Sequence, residues 1–515
     1  MDPRYAKEVA AAAARRHPQG GRRWLLGAAL VAVAGVGLAA LATRTGLPAG
    51  GAGTADMRLK AAEAGAQPAR PPAPAGRDIV VKSTRDTWAE ADRQQIRRYA
   101  EQTWRSIGLF VDGQVLPSDK LCFQADGSVD RTAYTFIANI GAYAWSVIGA
   151  RDLGLIGEEE GRQRLLPVLA AVESLQRDAA TAGAPAGMLL WAALVKEPTI
   201  DGSTVSSVDN AWLAAGVALM AEAYPELKPR AEAVLAKMDF AAMLDPAKGQ
   251  FHNNWDMTAG RYSTGTYDLL TEARIISYLA IGEGKVPGSQ YFRVDRWPAW
   301  RGWDNPAQFR QYEGVRVYEH TQTYEGLRFM PTWGGSMFES FMPHLLIPEA
   351  EWGVASWARS HPQMAAAHVR HGQREFGYWG FSPSMIPATR GYNEYGAPPM
   401  GIGGYSPRGQ HDPRGPTVTP HAVFLPIEYQ TRATLANLAK LRTAFPSIYD
   451  ERYGFRDAVD TESGAVSDCM LMLDQGMAFG AMVNQLTEGR LRRYLGNRYE
   501  ARLKPVIAQE AFWYP

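Results

Sequence analysis

Apolar residues recur at helical spacing through most of the chain beyond about residue 83. The pattern predicts helices over 86–109, 132–153, 158–176, 208–224, 228–244, 266–282, 336–346, 362–376, 421–445 and 471–487, with a last one near Arg502. Glycine marks several stops, as at Gly154 and Gly282. Period-2 alternation is confined to short pieces, Gln250–Asn253 and Val315–Tyr318. A long series of helices without alternating strands predicts an all-α architecture, in which successive pairs close into an α/α toroid with a cleft at one end. A stacked solenoid would need a repeat of fixed period, and none occurs. The connections 285–333 and 377–420 are longer than ordinary loops, which marks them as candidates for function.

The most informative stretch is 266–282. Leu269, Ala273, Ile276, Leu279 and Ala280 form one stripe, and Asp268 and Glu272 stand one helical turn apart at its N-terminal end. Like charges at that spacing cost about 0.2–0.5 kcal/mol on an exposed helix. Either the face opens into a polar cleft where carboxylates do chemistry, or the pair is satisfied by Arg274 and solvent. The pattern leaves both open.

The N-terminus follows different rules. Arg15, Arg16, Arg22 and Arg23 precede the apolar run Trp24–Ala42, which is about long enough to cross a bilayer. It reads as a signal anchor in the inner membrane or as a cleaved export signal. Arg22-Arg23-Trp24-Leu25-Leu26 resembles a twin-arginine motif, and Ala40-Leu41-Ala42 a cleavage site. Both send the remainder to the periplasm. Residues 44–82, rich in Ala, Gly and Pro, read as a flexible linker before one domain at 83–515.

Composition then narrows the function. With 515 residues, 46% hydrophobic, and a net charge of +1, the chain lacks the basic excess of a nucleic-acid binder. Its two cysteines, Cys122 and Cys469, form no metal or redox motif, leaving a long-range disulfide and two buried thiols as alternatives. No dinucleotide, phosphate-loop or nucleophile-elbow motif appears, so no cofactor is expected. His368 and His371 share a helix face that reads as solvated.

Carboxylates instead gather at predicted helix starts: Asp209 with Asn210, Tyr267-Asp268 with Glu272, Glu339, and Asp474 with Gln475. A helix-capping role for Asp209 carries equal weight. Carboxylates beside Trp and Tyr suit glycoside hydrolysis, where a raised-pKa acid protonates the leaving oxygen and a second carboxylate handles water. Trp255, Trp297, Trp303, Trp333, Trp379, Tyr392 and Tyr395 are candidate sugar platforms, with core packing the alternative for each.

Six motifs occur in a familiar order: Ser207–Ala214, Tyr267–Arg274, Gly335–Glu339, Thr417–Ala422, Tyr453–Ala458 and Asp474–Gly476. Together they resemble the glycoamylase-like family, which includes bacterial endo-β-1,2-glucanases and the C-terminal region of cyclic β-1,2-glucan synthases. The likeness runs from about Arg131 to Gln485. It implies an (α/α)6 toroid and an inverting hydrolase of a β-glucan polysaccharide. Glu272 would be the general acid, Asp209 the base and Asp268 the next candidate. Glu339, Asp474, Gln475, Asn210, Tyr267, Arg274, Trp333, Trp379, Tyr392 and Tyr395 would contact substrate. Two departures bear on linkage specificity: Trp379-Gly-Phe-Ser-Pro383 lacks the acidic residue that relatives often carry there, and the 285–333 region is unlike the glucanases. A non-catalytic carbohydrate-binding scaffold and a polysaccharide lyase on the same fold are the alternatives.

Overall fold

A computed structural model describes residues 88–409 and 415–514. The basic N-terminus, the 24–42 segment and the linker lie outside the described residues. Among the described residues no helix is long and apolar enough to cross a membrane.

The principal helices are α1 (Glu90–Phe110), α2 (Ile137–Asp152), α3 (Glu158–Thr181), α4 (Ser207–Ala223), α5 (Lys228–Lys237), α6 (Arg274–Gly282), α7 (Met337–Phe341), α8 (Trp357–Glu375), α9 (Pro420–Phe424), α10 (Ile427–Ala444), α11 (Met472–Thr487) and α12 (Arg490–Gln509). Helices α2, α4, α6 and α11 are buried on almost every side, as their mean apolarity demands. Helices α1, α3, α5, α8 and α10 bury one stripe and present charge outward. The first set, with the short α7 and α9, forms the inner ring. The second packs around it, and α11 closes the ring against α2. The expected all-α toroid is what the chain adopts.

Glycine lets α2 and α4 approach closely. A Cβ on Gly216 would lie 2.5 Å from the Gly141 Cα, and one on Gly141 would meet the Trp212 carbonyl oxygen at 2.3 Å. Helix α12 runs beneath the C-terminal ends of the inner ring. Tyr494 hydrogen-bonds Asp152 at the end of α2, Arg498 bonds Glu222 near the end of α4, and Tyr499 bonds Glu283 just after α6. The inner helices therefore point their N-termini toward the opposite, open end, and short strands lead into several of them: Tyr134–Phe136, Thr204–Ser206 and Cys469–Leu471.

One of the small sheets orders Val129–Arg131, Lys120–Phe123 and Cys469–Leu471 side by side, with Cys122 directly opposite Cys469. The two are disulfide-bonded across 347 residues of sequence, so the thiol alternative falls. Closing so long a loop restricts the unfolded chain, and Cys122→Ser is expected to lower stability by about 2–5 kcal/mol. Thermal unfolding with and without reductant reads this. A midpoint indifferent to reductant would refute it.

Three expectations are corrected. The helix expected over 266–282 begins only at Arg274, because the backbone before it pairs elsewhere. Tyr267 N–H donates to the Phe251 carbonyl, and Leu270 N–H and Asp295 N–H exchange bonds with Asp295 and Asp268. The helix expected over 421–445 breaks into α9 and α10 at Leu425-Pro426. His368 and His371 are buried and pack beside Phe381, so their side of α8 is its core-facing side.

Candidate active site

Five of the six inner helices bring a titratable side chain to the open end within their first turn or just before it, and the sixth, α2, brings Asn139. Asp209 is in the first turn of α4, Glu272 lies two residues before α6, Glu339 is in α7, His421 in α9 and Asp474 in α11. The helix dipoles favour negative charge there, whereas burial opposes it. Asp119, Asn139, Asp209, Asp474, Phe338 and Tyr392 line a cleft of about 510 Å³, counting space open to solvent. A smaller recess of about 240 Å³ adjoins Asp474, with His421 and Asp457 in its wall.

Glu272 is 1% exposed, and neither carboxyl oxygen has a well-formed hydrogen bond. Burial pushes its pKa up to about 8, and the neighbouring Glu339 adds to the rise. Its charge would reach the hydroxyls of Tyr267, Tyr392 and Tyr405, and Tyr392 is part of the cleft wall.

Glu339 has the opposite surroundings. Its carboxylate accepts from the Thr332 and Ser336 hydroxyls and from the Gly334 and Ser336 N–H groups, at 2.9–3.2 Å. Ser336 and Glu339 form a reciprocal capping box at the start of α7. Burial raises Glu339 too, but four donors pull the other way. Of two adjacent carboxyls, both raised by burial, the one held by four donors gives up its proton before the one without well-formed donors. Removing the ionised neighbour is therefore expected to lower the Glu272 pKa. In a Glu339→Gln protein the high-pH limb of the activity profile should move to lower pH. A limb that stays near pH 8 would refute this coupling.

On the far wall, burial pushes Asp457 and Asp474 both well above the ordinary aspartate range; the charge of Asp474 adds to the rise at Asp457, whereas a hydrogen bond with Asp457 pulls Asp474 the other way. Asp457 also accepts from Met385 N–H at 2.7 Å and Leu471 N–H at 3.3 Å. Thr419 spends its single hydroxyl proton on the Asp457 carbonyl at 2.6 Å. The Nδ1 of His421, 2.8 Å from that hydroxyl and 3.0 Å from Asp474, must then carry the proton and donate. Burial keeps this imidazole neutral, with its pKa down to about 4. Asp209 and Asp119 are each raised to about 6 by burial, and Asn139 donates to Asp119 at 3.0 Å.

The expected site residues thus separate. Glu272, Asp209, Glu339, Asp474, Tyr267 and Tyr392 are gathered at the open end. Asp268 is not beside Glu272 on a helix: it sits in the extended segment before α6 and pairs with Asp295, which it helps raise to about 6 after burial. Arg274 is corrected from a substrate ligand to a clamp. All five of its N–H groups are used, two on Glu349 and one each on the carbonyls of Thr271, Glu339 and Ser340. Asn210 is likewise spent, on Leu189 and the Ser206 carbonyl. Gln475 bonds Ser106 and the Phe455 carbonyl. Trp379 and Tyr395 are fully buried core rings, while Trp333 stays partly exposed.

Several residues at the site carried no role in the sequence. His421 and Asp457 fall inside motifs quoted above, so position in a motif was their available signal. Asp119 lies in an ordinary turn-like stretch, and Glu394, raised to about 7 by burial and by Glu339, sits in a long connection. Neither had one.

Comparison with known proteins bears on this arrangement. Residues 264–497 match the glycoamylase family model, described as "Putative glucoamylase". The resemblance to the glycoamylase-like family is borne out over that span. The chain is 27% identical over 282 residues to the cyclic β-(1,2)-glucan synthase NdvB of Rhizobium meliloti (strain 1021), covering 52% of this chain and 9% of that protein. It therefore spans less than a tenth of the length of that relative. Among solved structures, an endo-β-1,2-glucanase from Chitinophaga pinensis in complex with sophorotriose and glucose superposes with a TM-score of 0.62 at 16% identity, covering 81% of this chain and 98% of that one. An endo-β-1,2-glucanase from Talaromyces funiculosus with sophorose gives 0.62 at 13% identity, covering 82% and 92%. These likenesses establish the toroid fold.

Proposed function

We propose that the domain is a glycoside hydrolase acting on a β-linked glucan, with β-1,2-glucan favoured, by an inverting mechanism. The observation that carries this is the Glu272 carboxyl: buried, without a well-formed hydrogen bond on either oxygen and with its pKa pushed up to about 8 at the open end of the ring. Such a group is protonated at neutral pH and suited to donate to a departing glycosidic oxygen. The ionised Glu339 beside it stays fixed by its donors and serves to hold that proton in place. The water-activating carboxylate comes from a different inner helix. Asp209 supplies it from the neighbouring α4, with the Asp457–Asp474 pair, across the mouth by ring order, as the competing source. Relatives whose structures hold sophorose or sophorotriose support a β-1,2-linked substrate. Incubation of the soluble domain with a panel of β-linked glucans, read by product mass and anomeric form, tests substrate and stereochemistry together. Products of retained configuration, or no products from any β-glucan, would sink the proposal.

The same proposal places the domain outside the cytoplasm. The Arg-rich flank and apolar run at 24–42 support export, anchored in the inner membrane or released, and the Cys122–Cys469 bond suits an oxidising compartment. Alkaline phosphatase fused after residue 82 should be active only if the segment exports it.

A further inference from the structure

The long connection between α6 and α7 holds aromatic rings that the chemistry above does not use. Few large hydrophobic side chains are exposed among the described residues, and two of them fall on one short turn: Trp300, 63% exposed, and Trp303, 46% exposed. Gly302 between them takes φ 90°, a conformation that favours glycine, at the end of the short helix Ala299–Arg301. Leaving two indoles in water is unfavourable, and neighbouring exposed rings mark a ligand-binding surface more often than chance exposure does.

Their supports are built. Trp303 stacks on Tyr318 with ring centroids 5.8 Å apart, and its indole N–H donates to the Trp297 carbonyl at 3.2 Å. Tyr318 in turn donates to Asp304 at 2.9 Å. Trp300 stands edge-on to Trp333 at 6.4 Å, with the Arg301 guanidinium 5.1 Å from its ring. Trp333 immediately precedes Gly334, whose N–H holds the Glu339 carboxylate. Gly334 packs against Tyr405, which feels both Glu339 and Glu272. An unbroken series of contacts thus leads from the carboxylates through Tyr405 and Trp333 to the exposed turn.

We infer that Trp300 and Trp303 form a distal subsite that binds a neutral hexose unit of a glucan chain whose scissile bond lies at the carboxylates, an inference that rests on the hydrolase proposal. Indole faces match the apolar C–H faces of a pyranose. Arg301 and Asp304 supply a donor and an acceptor for its hydroxyls, and their opposite charges leave no excess that would select an acidic sugar. The contacts above join the turn to the wall that holds Glu339, and the occupant of these rings is a further unit of the chain that extends past that wall.

The test compares Trp300→Ala/Trp303→Ala with the parent domain on a β-1,2-linked trisaccharide and on a long β-1,2-glucan. Losing two stacking contacts predicts a KM for the long chain about 3- to 10-fold higher. The KM ratio of long to short substrate should rise with it, and kcat should hold. Equal effects on both lengths, or none on either, would overturn the subsite. Binding by the Glu272→Gln domain, followed by retardation in a glucan-containing gel, separates this inference from its premise. Retardation that the tryptophan substitutions abolish supports the subsite even if no glucan is cleaved, in which case the hydrolase proposal fails alone. Retardation that survives both substitutions, or absence of any retardation, overturns the subsite.

Discussion

A Glu272→Gln domain should lose about 10²- to 10⁴-fold in kcat on its glucan, while the protein remains folded. Glutamine keeps the size of the side chain and removes the transferable proton, so binding should suffer far less than turnover. The pKa of Glu272 supplies a control against trivial unfolding. In the folded chain this carboxyl keeps its proton up to about pH 8, whereas in the unfolded chain it releases it near 4.5. Its contribution to stability is therefore largest below pH 4.5 and declines as pH rises toward 8. Glutamine does not titrate, so the variant should match or exceed the parent in thermal stability at pH 7 while being almost inactive. Full turnover in this variant would remove Glu272 from the chemistry. Activity lost together with a lowered melting point would point to a structural role.

The second large effect is expected at Arg274. Its guanidinium lies inside the fold, bidentate on Glu349, which also accepts from Tyr278 at 2.7 Å and bonds His361 at 3.1 Å. Burial opposes the ionised form of Glu349, yet Arg274 and His361 hold its pKa well below the ordinary glutamate range. Arg274→Ala strands that carboxylate and should cost about 3–5 kcal/mol. Because the same guanidinium grips the carbonyls of Thr271 and Glu339, it also sets the spacing of Glu272 and Glu339. Arg274→Lys keeps the charge but loses the planar fork. It is expected to retain more stability than the alanine variant while lowering kcat more than it raises KM. A lysine protein with parental kcat would show that the clamp does not position the carboxyls. The measurements are chemical denaturation and steady-state kinetics on one preparation.

Arg274 also shows where sequence reasoning stops. Its neighbour Glu272 was legible: an acid beside an apolar stripe, within a motif shared with a glycan-active family. The helical series and its closure into a toroid were legible for the same kind of reason. Apolar periodicity is local, and α2, α4 and α11 are so uniformly apolar that only the centre of a ring can hold them. What one residue meets across the fold is not local. Arg274 read as a ligand because it stood near two acids, yet its partner Glu349 lies 75 residues on. Asp268 and Glu272 read as one helix face, until pairing with Asp295 claimed the Asp268 carbonyl and the Leu270 N–H. Asp119 and Asp457, 338 positions apart in the chain, feel each other because the strand after Asp119 pairs with Cys469–Leu471, whose Leu471 N–H holds the Asp457 carboxyl. The chain's own pattern determined which side chains could be acidic, aromatic or buried and that helices would carry them. Which carboxyl lacks well-formed donors and which is saturated with them was decided only by tertiary structure, because protonation depends on neighbours that the chain brings together from several helices at once.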